Sequence, residues 1–397
     1  MKMRIWSGVL AFLMLCGGAG AAAEDAVTLE EALAHARTYA LGGDTAPMQV
    51  IIDRALAAQG DPEARNALAE KLAALLKGES TFECKKFVCR QLLLIGTAEQ
   101  ADAVQPLLED PTLAHLGRMV LQDLPGAAAN DALAAALDTA EGAVKAGIVN
   151  SLAARPNQGN VPRLAALLDA REPVVAKAAA EGLGKLGGSE AVTALQGALE
   201  SPQTVRPAVV DGLLCCADTL LESGKDEAAA KLYWPFYDGD EETHVRLGAF
   251  RGLVEARAAG GVSFVVAALA SDDPVWQVAA MRYVRTVPGE QATQRLVETL
   301  DGLTPDMLAL AVAALGDRGD PAALAAVTDL LNAKNEGVRL AAVEAVRELG
   351  NASSVAPLAE LAVADEDPPR KAARRALARL TGEGVNQAIM ARIRRQA

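Results

Sequence analysis

A spacing of about 31 residues runs through this chain and limits what it can fold into. One apolar position near the start of a helical segment recurs at Cys84, Leu113, Val144, Val175, Val205, Val245, Val275, Met307, Val338 and Pro369. The steps between them are 29, 31, 31, 30, 40, 30, 32, 31 and 31 residues. The surrounding sequence repeats as well. Glu172-Pro-Val-Val-Ala-Lys-Ala-Ala-Ala-Glu-Gly-Leu-Gly aligns with Asn335-Glu-Gly-Val-Arg-Leu-Ala-Ala-Val-Glu-Ala-Val-Arg, and Asp272-Asp-Pro-Val-Trp-Gln-Val-Ala-Ala-Met-Arg-Tyr-Val fits the same mould. Self-similarity at a fixed period of this size marks a stack of small units, each too small to hide its apolar side alone.

Each unit reads as two helices. The second follows a turn such as Asp110-Pro111 or Asp272-Asp273-Pro274, where an acidic residue caps the helix and proline fits its first turn. Apolar residues then return at helical spacing, as at Val338, Ala341, Ala342, Ala345 and Val346. Gly350 is expected to end that helix in a left-handed conformation. A shorter first helix comes next, as at 162–168 or 353–363. Composition agrees: 51% of residues are hydrophobic but only 3% are aromatic, so small side chains let helices approach closely. The expected fold is all-α, an α-solenoid of stacked antiparallel helix pairs. Its second helices are expected to line the concave side.

The Asp-x-x-Val-Arg pattern before an alanine-rich helix resembles the HEAT repeat family, including the short bacterial variety found in phycobilin lyase subunits. The matching positions are Val338 and Arg339, Val245 and Arg246, Val205 and Arg206, and Val144 and Lys145. The resemblance spans about 80–380. It departs at Ala176 and Trp276, which replace the basic residue, and at Pro369, which replaces the aliphatic one. It implies a solenoid that works by binding, although the fold alone names no partner.

Two regions break the period. Residues 24–78 are helical in pattern but out of register, as an N-terminal cap to the solenoid of 79–397 would be. The unit over 205–244 is 40 residues long, with longer helices expected around 209–222 and 226–237. It holds the run Tyr233-Trp234-Pro235-Phe236-Tyr237, four of the chain's 13 aromatic residues in five positions. Two readings stand: the rings fill a wider gap in a longer hairpin, or they form a partner-binding patch, since Trp and Tyr carry energy at interfaces. Tyr233, Trp234, Phe236 and Tyr237 are therefore partner-binding candidates. Trp276 joins them because it stands where the family places a basic residue.

The N-terminus reads as a secretory leader. Lys2 and Arg4 precede an apolar core from Ile5 to Leu15, and Ala21-Ala22-Ala23 offers a small-residue cleavage pattern before Glu24. A signal peptide over 1–23 implies a periplasmic or secreted protein. Lipidation of Cys16 and an uncleaved apolar anchor are the alternatives, and either would make the chain a membrane-held envelope protein. Four cysteines follow the leader: Cys84, Cys89, Cys215 and Cys216. A Cys84–Cys89 bridge needs Cys84 outside regular helix, because five helical residues span roughly 8–9 Å between Cα atoms. Buried free thiols are the other outcome.

Signs of catalysis are sparse. The only histidines, His35, His115 and His244, lie in different parts of the array, and no HExxH, CxxC, GxSxG or phosphate-loop pattern occurs. The His-Glu dipeptide expected of the iron-binding deoxyhypusine hydroxylases is missing too. His115 reads as a hydrogen-bonded structural histidine on a core-patterned helix, and His244 as a helix-start residue facing solvent. The acidic runs at 238–242 and 365–367 lack a calcium-loop spacing. No catalytic residue, cofactor or metal is assigned. Without residues 1–23, 36 basic groups face 51 acidic ones, a net of −15, which disfavours nucleic acid. The exception is 366–397, with eight Lys/Arg against three acids, read as a polar C-terminal cap. The function expected is an exported, monomeric scaffold that binds a protein partner through the groove of the superhelix. The alternatives are a lyase-like enzyme subunit or cofactor-attachment chaperone, and a membrane-anchored structural protein. An enzyme subunit would need a deep pocket with convergent polar groups near Tyr233 or Trp276.

Overall fold

The structure, a computed structural model, describes residues 27–200, 204–288, 290–364 and 367–396. The leader at 1–23, with Cys16, and residues 365 and 366 of the second acidic run lie outside the described residues. Among the described residues all regular structure is helical, with 23 α-helices, nine short 3-10 segments and no strand. Contacts divide the chain into two units, one ending at Arg155 and one beginning at Pro156. Each is an all-α solenoid of stacked helix pairs.

The first unit opens with three helices, Leu29–Thr38, Ala46–Ala57 and Pro62–Ala74, over the stretch read as a cap. Thr81 joins this stretch to the first repeat. Its hydroxyl donates to the Tyr39 carbonyl at 2.6 Å and accepts from the Cys84 amide at 3.1 Å, so one side chain caps a helix and fixes a loop. The second helices are Phe82–Ile95, Ala114–Asp123 and Gly142–Ala154, each packed on the next. Arg155 closes this stack. Its guanidinium donates to the carbonyls of Leu121, Gln122, Leu124 and Gly126 at 2.6–2.9 Å, which satisfies the exposed C-terminal end of the Ala114–Asp123 helix.

In the second unit the second helices are Pro173–Leu186, Arg206–Glu222, Thr243–Ala256, Pro274–Val284, Pro305–Arg318, Glu336–Leu349 and Pro369–Arg379. Where they cross closely, small residues allow it. A Cβ on Gly184 would lie 2.7 Å from the Gly212 Cα, and one on Gly316 would lie 2.7 Å from the Ala345 Cα. The 40-residue unit supplies the longest helix, Arg206–Glu222, and a first helix, Asp226–Asp238. The shorter first helices begin in 3-10 turns capped by side chains, such as Asn157, Asp320 and Asn351.

The arginines after two of the anchors bind backbone carbonyls, while Arg206 after a third pairs with Glu241 at 2.6 Å. Arg339 donates to the carbonyls of Ala333 and Lys334 at 2.7 and 2.9 Å, and Arg246 to that of Tyr237 at 3.2 Å. Arg246 and Arg339 thus reach back to the chain before their own helices. Where Trp276 replaces the arginine, the next residue takes over. Gln277 is buried and donates to the Ser271 carbonyl at 2.9 Å.

That exchange corrects one expectation. Val275 is not a buried anchor; it is 48% exposed, because the Pro274–Val284 helix buries Gln277, Ala280 and Val284 instead. Val144 and Met307 are only half-buried, while the other seven anchors are buried. Gly350 is not left-handed either. It has φ −67°, ψ 157°, and glycine is needed for space, since a Cβ would lie 2.3 Å from the Val346 carbonyl oxygen. Gly187 (φ 63°) and Gly319 (φ 73°) do use positive φ at helix ends. Asp273 and Asn335 cap their helices, but Glu141, Glu172 and Glu242 make no side-chain cap, consistent with the short side chains favoured there.

Arg155→Ala removes four hydrogen bonds from one charged group and leaves helix-end carbonyls without a donor. The expected cost is about 1.5–3 kcal/mol of unfolding free energy by urea titration. Arg155→Lys should recover less than half of it, because an ammonium lacks the guanidinium's fork.

Candidate functional site

Tyr233 ties three helices of the second unit together. It projects from Asp226–Asp238 and is only 1% exposed, with its ring seated against Gly252 of Thr243–Ala256. A Cβ on Gly252 would fall 2.2 Å from the ring's Cζ, so only glycine leaves room. The tyrosine hydroxyl donates to Asp218 Oδ1 at 2.5 Å. The same carboxylate accepts from Arg251 Nη2 at 2.9 and 3.1 Å. Burial, and then the bond to Asp218, raise the tyrosine pKa above its usual range, so the hydroxyl remains a donor. The Asp218–Arg251 pair is half-exposed and worth about 0–1 kcal/mol by itself. Its role is to hold the tyrosine's acceptor in place.

Large rings also spread the next pair of helices. Thr243–Ala256 and Pro274–Val284 approach each other much less closely than Pro305–Arg318 and Glu336–Leu349 do. Aromatic contacts bridge the wider gap. Phe250 meets Trp276 at 5.7 Å and Tyr283 at 5.8 Å between centroids, both edge to face. The chain of rings continues from Trp276 to Tyr237 at 5.9 Å, from Tyr237 to Phe264 at 5.3 Å, and from both of these to Trp234. Guanidinium groups of Arg246 and Arg257 lie 5.3 and 5.8 Å from the Trp276 and Phe264 centroids.

The spread leaves a pocket of about 570 Å³ on the face of the second helices. Leu214, Leu247, Val275 and Val278 give it apolar walls, and Tyr233, Phe250 and Tyr283 are among its lining rings. Asp218, Arg251 and Arg282 line it too, with Asp211 two turns before Asp218 on the same helix. Gly248 opens it. The equivalent place one repeat later is Val278, and one repeat beyond that Leu310, each 57% exposed. At Gly248 there is no side chain, and a Cβ there would touch only Leu214 Cδ1, at 3.8 Å.

The five aromatic candidates fall in different places. Tyr233 lines the pocket, Phe236 is buried, Tyr237 and Trp276 are half-buried within the ring chain, and Trp234 is 42% exposed at its edge. Asp218, Arg251 and Gly248 carried no signal as single residues. The one available was the spacing: Asp218 and Arg251 are opposite charges 33 residues apart, about one repeat.

The thiol expectations resolve by helix geometry. Cys84 and Cys89 lie in one regular helix, Phe82–Ile95, and both are buried free thiols, so the local bridge is not formed. Burial pushes Cys89 and Cys216 up to about 12. Cys215 is half-exposed and lines the pocket. His115 corrects another reading: it is exposed, because Ala114–Asp123 buries Leu116, Gly117, Val120 and Leu121 on the other side. His244 is exposed beside Glu242 at 3.3 Å, and His35 Nε2 lies 2.8 Å from the Asp44 carbonyl oxygen. No group of three or more His, Cys, Asp or Glu able to hold a metal occurs among the described residues.

Comparison with known proteins gives matches at two levels. Residues 130–213 and 294–378 match the family described as HEAT repeats. No curated protein matches the chain. Among solved structures, human deoxyhypusine hydroxylase in complex with glycerol is similar at 21% identity, covering 71% of this chain and 96% of its own, with a TM-score of 0.29. The complex of CpcE and CpcF of phycocyanin lyase from Nostoc sp. PCC7120 is similar at 21% identity, covering 70% and 93%, with a TM-score of 0.31. A chain from the structure of Kap95p binding to RanGDP is similar at 14% identity, covering 89% of this chain and 50% of that one, with a TM-score of 0.46.

Gly252→Ala tests the seating of Tyr233. Alanine normally strengthens a helix, but here its methyl group meets the buried ring. The variant should lose about 1–3 kcal/mol in urea unfolding. Pairing it with Tyr233→Ala should make the second change cost less than it does alone.

Proposed function

We propose that these HEAT repeats form an exported binding scaffold, with no catalysis of its own, that holds a protein partner along the face of its second helices. The observation that carries the reading is a set of exposed apolar side chains at the pocket and on the helix after it. Val275 and Val278 on Pro274–Val284, which line the pocket, and Leu310 on Pro305–Arg318 are 48%, 57% and 57% exposed. Apolar side chains gathered this way on one face mark an interaction site. The repeat fold supports the reading, since stacked repeats offer long surfaces for many modest contacts. The exported compartment rests on the leader-like N-terminus alone.

A second reading, a lyase-like subunit or cofactor-attachment chaperone, draws on the polar groups that line the pocket. Asp218, Arg251, Arg282 and Tyr283 converge there, and such a mix of apolar walls and a few polar groups also suits a small ligand. The membrane-held reading draws only on the N-terminus. Among the described residues no helix is long and apolar enough to cross a membrane.

Two measurements test the proposal. Affinity capture with the full chain in its native host should recover one protein reproducibly, and Val278→Asp combined with Leu310→Asp should cut recovery at least tenfold while helicity is unchanged. Recovery of nothing, or recovery indifferent to both changes, counts against a scaffold using this face. Mass spectrometry of the native N-terminus should find a free Glu24; an acylated Cys16 or an intact Met1 would replace the secreted form with an anchored one.

A further inference from the structure

We propose that the second unit bends at one joint, between the Thr243–Ala256 helix and the Pro274–Val284 helix after it in the stack, and that the bend sets the width of the pocket. At two other joints the second helices meet through small residues. An added Cβ on Gly184 or Gly316 would fall 2.7 Å from a backbone atom of the next helix, Gly212 or Ala345. Backbones packed that closely leave no room to shift. At the proposed joint the backbones stay apart. A Cβ on Gly248 would find no atom of Pro274–Val284 within 4 Å.

Rings take the place of backbone contact there. Among the described residues, every aromatic contact that links one repeat to the next crosses this joint. Trp234 and Tyr237 meet Phe264 on the Val262–Leu269 helix, Tyr237 and Phe250 meet Trp276, and Phe250 meets Tyr283, at 5.3–6.2 Å between centroids. Ring pairs stay attractive over centroid separations of about 4.5–7 Å, so they slide past one another at little cost.

Polar ties across the joint are thin as well. The hydrogen bond that crosses it among the described residues runs from Tyr283 Oη to Glu255 Oε1, exposed and 3.4 Å long. The joints on either side are tied more firmly. Before it, Asp218 accepts from Arg251 at 2.9 Å and Glu241 pairs with Arg206 at 2.6 Å. After it, Arg318 donates to the Val284 carbonyl at 3.1 Å and Arg285 pairs with Asp317 at 2.5 Å. Two firmly tied blocks thus meet through side chains that can shift. The pocket is the gap between them, walled by Leu247, Gly248 and Arg251 from one block and by Val275, Val278 and Arg282 from the other. Hinge motion moves those walls together or apart, so about 570 Å³ is one setting of an adjustable cavity. The bend belongs to the chain alone and needs no partner.

Distances between spin labels, measured by pulsed electron resonance on the full chain, test the joint. With Cys16 and Cys215 changed to serine, the remaining thiols, Cys84, Cys89 and Cys216, are buried. One label pair, at Glu222→Cys and Thr286→Cys, spans the joint. The other, at Thr286→Cys and Glu348→Cys, spans the two joints that follow, and all three positions are exposed. The distance distribution of the first pair should be at least twice as wide as that of the second. Equal widths, or a wider second pair, overturn the bend. Gly248→Met then tests the link to the pocket. The position is helical and a Cβ there makes an ordinary 3.8 Å contact with Leu214, so the fold tolerates it. A filled gap cannot close, so the short-distance side of the first distribution should vanish while the second is unchanged. Retention of the short distances overturns the link. The comparison of widths uses no change at Gly248 and stands even if that variant fails to fold.

Discussion

A helical hairpin made mostly of alanine, leucine and valine cannot cover its own apolar side, and nearly everything in this molecule follows from that. The hairpin is too short to fold back on itself, so its neighbour must do the covering. Close coverage needs small residues at the crossings, and the chain places glycine or alanine there, as at Gly184 against Gly212. The ends of each helix then need partners of their own. Arginines at a fixed place in the repeat, such as Arg246 and Arg339, donate to nearby carbonyls.

The long unit shows what happens when this order is relaxed. Extra residues lengthen two helices, and rings replace small side chains between Thr243–Ala256 and Pro274–Val284. Rings hold helices apart, so the stack gains a cavity where regular repeats would be filled. Tyr233 is accommodated by Gly252 and fixed by Asp218, giving the cavity a firm floor. A packed floor under an apolar opening leaves less ordering to be done by anything that enters it.

The period, the helical class and the irregular unit were legible because they depend on spacing, which survives when individual residues vary. Val338, Val175 and Cys84 sit buried where the spacing put them. Val275 does not, because its helix presents Gln277, bonded to the Ser271 carbonyl, at the buried place instead. The aromatic run was conspicuous, yet only Tyr233 of its four rings lines the cavity. The residue that opens the cavity, Gly248, was invisible because its contribution is a missing side chain. His115 misled for a simpler reason: two residues from a buried anchor is nearly the opposite side of a helix.

The carbonyls ahead of a second helix can be served from either of two adjacent positions, by arginine as at Arg339 or by glutamine one place later as at Gln277. Those two positions differ by about 100° around the helix. Moving the carbonyl donor by one place turns the Pro274–Val284 helix so that Gln277 faces inward and Val275 and Val278 face out, while the helix keeps its place in the stack. One exchanged donor thus changes what a repeat shows to solvent without changing the frame that holds it.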